Sequence, residues 1–143
     1  LNTGGGLLNL LNKSEGEDFL VLNPDTLWNF NDLKNIKNME HFYFDNKIKN
    51  VLMVVNKEKS FDKRFNGDFD LQNNILINSS NKKFIYTGCQ IINKNLFNKV
   101  NKKVFSIFEI WNDLIEKKQL FGFESDNDFY HITDFKIYKE LNS

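Results

Sequence analysis

The chain has 143 residues, 41% hydrophobic and 15% aromatic with 15 phenylalanines, which is enough for one packed core and too apolar for a disordered chain. Nineteen Lys and Arg balance nineteen Asp and Glu, so no electrostatic field for nucleic acid is implied, and Asn81-Lys82-Lys83 and Asn101-Lys102-Lys103 read as short solvated turns. No apolar run has the length of a membrane span, no cleavable signal is read, and the single Cys89 sits in an apolar run, so a cytoplasmic protein with no membrane or nucleic-acid partner is expected.

Leu7, Leu8, Leu10 and Leu11 form an apolar stripe that predicts a short helix from Gly4 to Lys13, opened by a glycine triplet and broken at Ser14-Glu15-Gly16-Glu17. Phe19-Leu20-Val21-Leu22 reads as a parallel strand buried on both faces. Pro24 biases Asn23 toward extended geometry and ends the ladder, which presents Asp25 at a strand's carboxyl end. A glycine triplet opening a helix, followed by a strand that delivers one acid, points to an α/β nucleotide site.

Leu33, Ile36, Met39 and Phe42 predict an amphipathic helix over Asn31 to Asp45, with Asn31 or Asp32 near its cap. Ile48 to Val55 predicts the next strand, completing a strand–helix–strand crossover and implying a parallel pair. Residues 56–67 read as polar loop, Gly67 to Leu71 and Ile75 to Ile77 as a small hairpin, and Phe84 to Ile92 as a long strand. Gly88 interrupts that strand, either where backbone approaches a ligand or as a bulge.

Asn95 to Val100 predicts a helical turn. Phe105, Phe108, Trp111 or Ile110, Leu114 and Ile115 give the clearest amphipathic helix of the second half, ending near Lys117-Lys118. Leu120 to Phe123 and Phe129 to Ile132 read as short strands, and Asp134 as the cap of a last helix through Leu141. Trp28 and Trp111 read as core aromatics, and Glu109 as a solvated helix position that could face a pocket. His41 and His131 are the only histidines and Cys89 has no charged sequence neighbours, so neither nucleophilic catalysis nor a structural zinc site is supported.

Five segments then stand in an informative order: Thr3-Gly4-Gly5-Gly6, Asn23-Pro24-Asp25-Thr26-Leu27-Trp28, Gly67-Asp68-Phe69, Tyr86-Thr87-Gly88-Cys89-Gln90-Ile91-Ile92 and Phe129-Tyr130-His131-Ile132-Thr133-Asp134. This order resembles the sugar-phosphate nucleotidyltransferase family, in particular members similar to N-acetylmuramate-1-phosphate uridylyltransferase and mannose-1-phosphate guanylyltransferase. The resemblance implies an incomplete three-layer Rossmann-like α/β fold with a mostly parallel sheet. Residues 1–143 would be the C-terminal part of one such domain. The family's glycine-rich phosphate loop, with its Arg and Lys, would precede Leu1, so this chain alone is not expected to turn over, and a sheet lacking that part is expected to self-associate or be poorly soluble.

In such enzymes an oxygen of a sugar 1-phosphate attacks the α-phosphorus of a nucleoside triphosphate, here UTP or GTP, and pyrophosphate leaves. The resemblance makes Asp25 the catalytic and metal-holding acid, with Mg2+ as cofactor; Asp25 could instead cap the next helix. His131 stands where many relatives carry a second metal-binding acid, and either joins that site or is a partly buried strand-end histidine. Gly4, Gly5 and Gly6 would pass close to the nucleotide base, with Asn2 at a position where relatives often carry an acid, and Thr87 and Gly88 would contact the sugar phosphate. Two alternatives stand beside this reading. One is a non-catalytic sugar-nucleotide-binding or partner-docking module of the same fold; the other, a glycosyltransferase with an acid–x–acid metal motif, is opposed by Asn23.

Overall fold

The computed structural model describes residues 3–101 and 104–143. Asn2 and the pair Lys102-Lys103 lie outside the described residues. Ten principal elements follow in chain order: α1 (Thr3–Lys13), β1 (Asp18–Leu22), α2 (Phe30–Asp45), β2 (Asn50–Asn56), β3 (Asp70–Gln72), β4 (Ile75–Ile77), β5 (Phe84–Asn93), α3 (Ile107–Glu116), β6 (Gly122–Glu124) and α4 (Phe135–Leu141). Single 3₁₀ turns at Lys57–Lys59 and Lys94–Phe97 follow β2 and β5.

The main sheet has the order β1-β5-β2-β6, and β3 pairs with β4 in a separate hairpin. β2 and β6 are parallel, and β5 runs antiparallel to both β1 and β2, so three of the four strands point the same way. Side-chain alternation along β2 divides the core. Leu52 and Val54 face Leu11, Phe105, Trp111 and Leu114 from the α1 and α3 side, while Val51 and Met53 face Met39 and Tyr43 of α2. The result is three layers, with a mixed sheet between helices, as expected for the incomplete Rossmann-like class.

Capping sets the helix starts. Asn29 is the N-cap of α2: its side chain accepts from Asn31 N at 2.9 Å, while its own backbone N–H donates to Asp32 Oδ2 at 2.8 Å. The cap therefore lies slightly earlier than the sequence pattern placed it. Ser106 and Glu109 form a second capping box at α3, so Glu109 helps to start the helix. Asp134 caps α4 by accepting from Ile137 N at 3.0 Å. In the β3–β4 hairpin the connecting Asn73 and Asn74 both have positive φ, the type I′ geometry that Asn tolerates.

Three strand expectations are corrected. β1 and β2 are co-directional but not neighbours, because β5 lies between them; the crossover rule fixes direction and leaves adjacency open. β1 is also not buried on both faces. It is an edge strand among the described residues, with Leu20 49% and Leu22 44% exposed. A run of four apolar residues cannot by itself separate a central strand from an edge strand. Phe129 to Ile132 forms isolated bridges, Ser60 with Phe129 and Thr26 with His131, rather than a strand.

One half-buried polar contact ties α2 to the edge. Tyr43 Oη donates to Asp18 Oδ1 at 2.6 Å, the same oxygen that accepts from Asn93 Nδ2 at 2.8 Å. Burial first, and the Asp18 carboxylate second, push the Tyr43 phenol well above its ordinary range. Replacing Tyr43 by Phe deletes a hydrogen bond to a charged acceptor and should cost about 1.5–3 kcal/mol in urea unfolding. A loss below about 0.5 kcal/mol would show that water replaces the phenol at no cost.

Candidate functional site

The end of β1 is held by β5 and by the 129–133 segment. Asn23 N donates to Gly88 O at 2.8 Å, Thr26 Oγ1 donates to Thr87 O at 2.7 Å, and Ile132 N donates to Asp25 O at 2.8 Å. These bonds fix the backbone on both sides of Asp25 and leave its side chain 51% exposed. Asp25 does not cap α2, since Asn29 does. Asp25 Oδ2 lies 3.2 Å from His131 Nε2, whose side chain is 22% exposed. The two positions singled out as metal-holding therefore meet at the strand end.

Gly88 has φ +90, and a Cβ there would lie 2.8 Å from Asn23 Cβ, so a side chain would push Asn23 away from the end of β1. The β2–β5 register shifts here. Leu52 pairs with Gln90 and Val54 with Tyr86, which leaves Thr87, Gly88 and Cys89 opposite Met53 alone. Thr87 is buried, and its Oγ1 donates to Met53 O at 3.0 Å. Its side chain is thus committed inside the fold, and only backbone is left at this position for a ligand. Cys89 is fully buried, and desolvation pushes its thiol up to about 12, in line with an inert core cysteine.

On the α1 and α3 side of the sheet lies a groove of about 390 Å³, lined by Gly6, Leu10, Asn23, Gln90, Phe108 and Trp111 among others. Its volume falls in the range of small-molecule clefts. Trp111 Nε1, Gln90 Oε1 and Tyr86 Oη, all from residues lining the groove, are buried and make no well-aligned hydrogen bond among the described residues, although the Tyr86 hydroxyl lies against the Gln90 side chain. Trp111 is a core residue, as expected, and also a groove wall.

The glycine triplet divides. Gly4 is buried, and a Cβ there would lie 2.6 Å from the Phe105 ring, so its role is packing. Gly5 N donates to Phe105 O at 3.2 Å. Gly6 has open space around it and faces the groove. Of the three, Gly6 alone lines the cleft that Asn23 also lines.

A charged cluster behind His131 was not legible in the sequence. Asp62 is 3% exposed and accepts from Arg64 Nε and Nη2, each at 2.8 Å. Arg64 Nη1 also reaches Asp134 Oδ2 at 2.9 Å. The Arg64 side-chain bonds hold the Asp62 carboxyl far below its ordinary value, with Thr133 adding to the effect against the opposing desolvation. A depressed folded pKa contributes stability above the unfolded value of 3.8 that is lost as pH falls through it toward the folded value. Melting temperature should therefore drop steeply below about pH 4, and Asp62→Asn should flatten that drop. Parallel pH profiles for the two proteins would show otherwise.

One carboxylate with substrate oxygens and water is a donor set that Mg2+ accepts. Asp25 fits it, whereas an imidazole nitrogen suits softer ions better. Among the described residues no group of three or more His, Cys, Asp or Glu gathers for a metal, so most of the coordination would have to come from ligand and water. No helix among them is long and apolar enough to cross a membrane.

Neither a family model nor a curated protein sequence matches the chain. Its fold matches that of solved sugar-phosphate nucleotidyltransferases. It is similar to HddC from Yersinia pseudotuberculosis at 24% identity and TM-score 0.68, over 98% of this chain and 60% of that one. A second HddC structure, with GMP-PN, superposes with the same TM-score at 22% identity, over the same share of each chain. The inositol-1-phosphate CTP transferase of T. maritima matches at 14% identity and TM-score 0.66, over 99% of this chain and 62% of that one. Apo UDP-glucose pyrophosphorylase matches at 14% and 0.67, over 98% and 58%. The chain thus spans about 60% of the length of the solved structures it resembles.

Proposed function

We propose that this chain is the C-terminal part of a nucleotidyltransferase domain that joins a nucleoside triphosphate, UTP or GTP, to a sugar 1-phosphate. The single observation that carries the reading is the convergence at the end of β1. Asp25 stands beside His131, and Asn23, two residues earlier, lines the groove of about 390 Å³ on the α1 and α3 side of the sheet. The shared fold supports the same reading.

In the proposed reaction a sugar-phosphate oxygen bonds to the α-phosphorus as the bond to the pyrophosphate oxygen breaks. The attacking oxygen is already anionic, so no general base is required. Alignment and charge neutralisation then carry the catalysis. Asp25 would hold a divalent cation, Mg2+ being the ion that the resemblance implies, whose contribution when bound is to neutralise phosphate charge. The Gly6 end of α1 would lie against the nucleoside, and the Gly88 backbone beside Asn23 against the sugar. Thr87 would act through its backbone only, because its hydroxyl is spent on Met53. The phosphate-binding glycine loop with its Arg and Lys would come from polypeptide outside these 143 residues.

A second reading, a sugar-nucleotide-binding module without turnover, is favoured by one observation: His131 occupies the place of a second acid. One experiment separates the two. The product of the complete coding sequence is given UTP or GTP, a sugar 1-phosphate and Mg2+, and pyrophosphate is measured. Release that requires both substrates supports the transferase. Tight binding of a nucleoside-diphosphate sugar without release supports the module, and neither would sink both.

A further inference from the structure

The cluster behind His131 determines which of its nitrogens carries hydrogen. Both oxygens of Asp62 are held by the Arg64 side chain, and Asp62 Oδ1 also accepts from Arg64 N at 3.1 Å. A carboxylate clamped in this way only accepts. Thr133 Oγ1 lies 2.8 Å from Asp62 Oδ2 and must donate its one hydrogen there. The same hydroxyl oxygen lies 3.2 Å from His131 Nδ1. With its hydrogen committed it can only accept, so Nδ1 is the nitrogen that bears hydrogen. Nε2 is then the nitrogen turned to Asp25 Oδ2. The ring is kept in this orientation by Phe65, edge-on at 5.5 Å, and by Phe129 at 6.0 Å.

We propose that the Asp62–Thr133 hydrogen bond fixes His131 as its Nδ1–H tautomer, making Nε2 and Asp25 Oδ2 a paired site for a divalent cation of the manganese, cobalt or zinc class in preference to magnesium. The inference rests on the reading of Asp25 as the cation-holding carboxylate. An imidazole nitrogen and a carboxylate oxygen together suit borderline ions, while magnesium favours oxygen throughout. Thr133 and Asp62 are positioning residues here, acting through the ring in the way that outer-shell partners orient metal-binding histidines.

The test uses the product of the complete coding sequence without substrate. Long-range 1H–15N spectra, with His131→Gln to identify the His131 ring, are read at a pH above the ordinary imidazole range. Hydrogen is expected on Nδ1 of His131, and Zn2+ should shift Nε2 while leaving Nδ1–H in place. Mn2+ binding, followed by water relaxation with Mg2+ as competitor, should favour Mn2+ by about tenfold or more. Thr133→Val should mix the tautomers and weaken Mn2+ about tenfold, and Thr133→Ser should restore both. A bare Nδ1 in the wild-type chain, equal competition by Mg2+, or a Thr133→Val protein that binds Mn2+ unchanged would overturn the proposal. If a variant does not fold, the wild-type tautomer and ion preference still decide. Failure of the nucleotidyl-transfer reading would look different: these measurements would stand while no pyrophosphate appeared.

Discussion

Asp25→Asn should lower pyrophosphate release by about 10²- to 10³-fold while leaving the fold intact. Asn keeps the size of the side chain and removes its charge. The carboxylate proposed to hold the cation is then gone, although the backbone bond from Ile132 N to Asp25 O and the Thr26 hydroxyl bond to Thr87 O remain. Asp25 is half-exposed and makes no helix cap, so its stability cost should stay within about 0.5 kcal/mol. The measurement is turnover of the complete coding sequence's product with saturating nucleoside triphosphate and sugar 1-phosphate, beside its melting temperature. Turnover within a few-fold of wild type would remove Asp25 from the reaction and leave the strand-end geometry without a catalytic meaning.

Gly67→Ala is the second large effect, and it concerns folding rather than chemistry. Gly67 has φ +83, and a Cβ built on it would lie 1.8 Å from the carbonyl oxygen of Lys82. That oxygen belongs to backbone and cannot swing aside as a side chain would. Immediately beyond it, Asp68 N donates to Phe84 O at 2.7 Å and Asp68 Oδ2 accepts from Tyr86 N at 2.9 Å, so the start of β5 is built on this close passage. The substitution should cost at least about 3 kcal/mol in denaturant unfolding, or prevent folding altogether. Gly16→Ala is the control. Its φ is +99 but the added methyl meets nothing within 4 Å, so about 1 kcal/mol is expected. Equal costs at the two positions would mean that the Lys82 carbonyl yields and that the passage is not tight.

The elements that were legible are those whose signal is local. The leucine stripe of α1, the apolar run of β2, the hairpin around Asn73-Asn74 and the Asp134 cap each depend on residues within a few positions of one another. β1 was misplaced in the sheet because its neighbour, β5, lies some 70 residues on in sequence, and four apolar residues read the same at an edge as at a centre. The meeting of Asp25 with His131 agreed with a pattern of motifs rather than with any spacing. The Asp62, Arg64 and Thr133 cluster joins a polar loop to the segment before α4 across about seventy residues, and nothing in Asp62-Lys63-Arg64 marks it. Local charge alternation of that kind usually reads as solvated surface, and only the buried carboxylate shows otherwise. Thr87 and the glycine triplet were singled out as segments, yet packing sorts their members atom by atom. Gly4 is filled by the Phe105 ring and Thr87 by the Met53 carbonyl, leaving Gly6 and the Gly88 backbone toward the groove.

The one-sided pairing of β1 also has a consequence in time. Asn23 N bonds to Gly88 O and Lys94 N to Glu17 O, so the antiparallel alternation turns the amides of Phe19 and Val21 toward β5 and those of Leu20 and Leu22 outward. In deuterated water the two sets part company. The inward amides wait for the sheet to open, whereas the outward ones exchange as freely as those of a loop. A single five-residue strand would then carry two clocks, fast and slow on alternate residues. Any polypeptide that came to lie along its open side would slow the fast clock first.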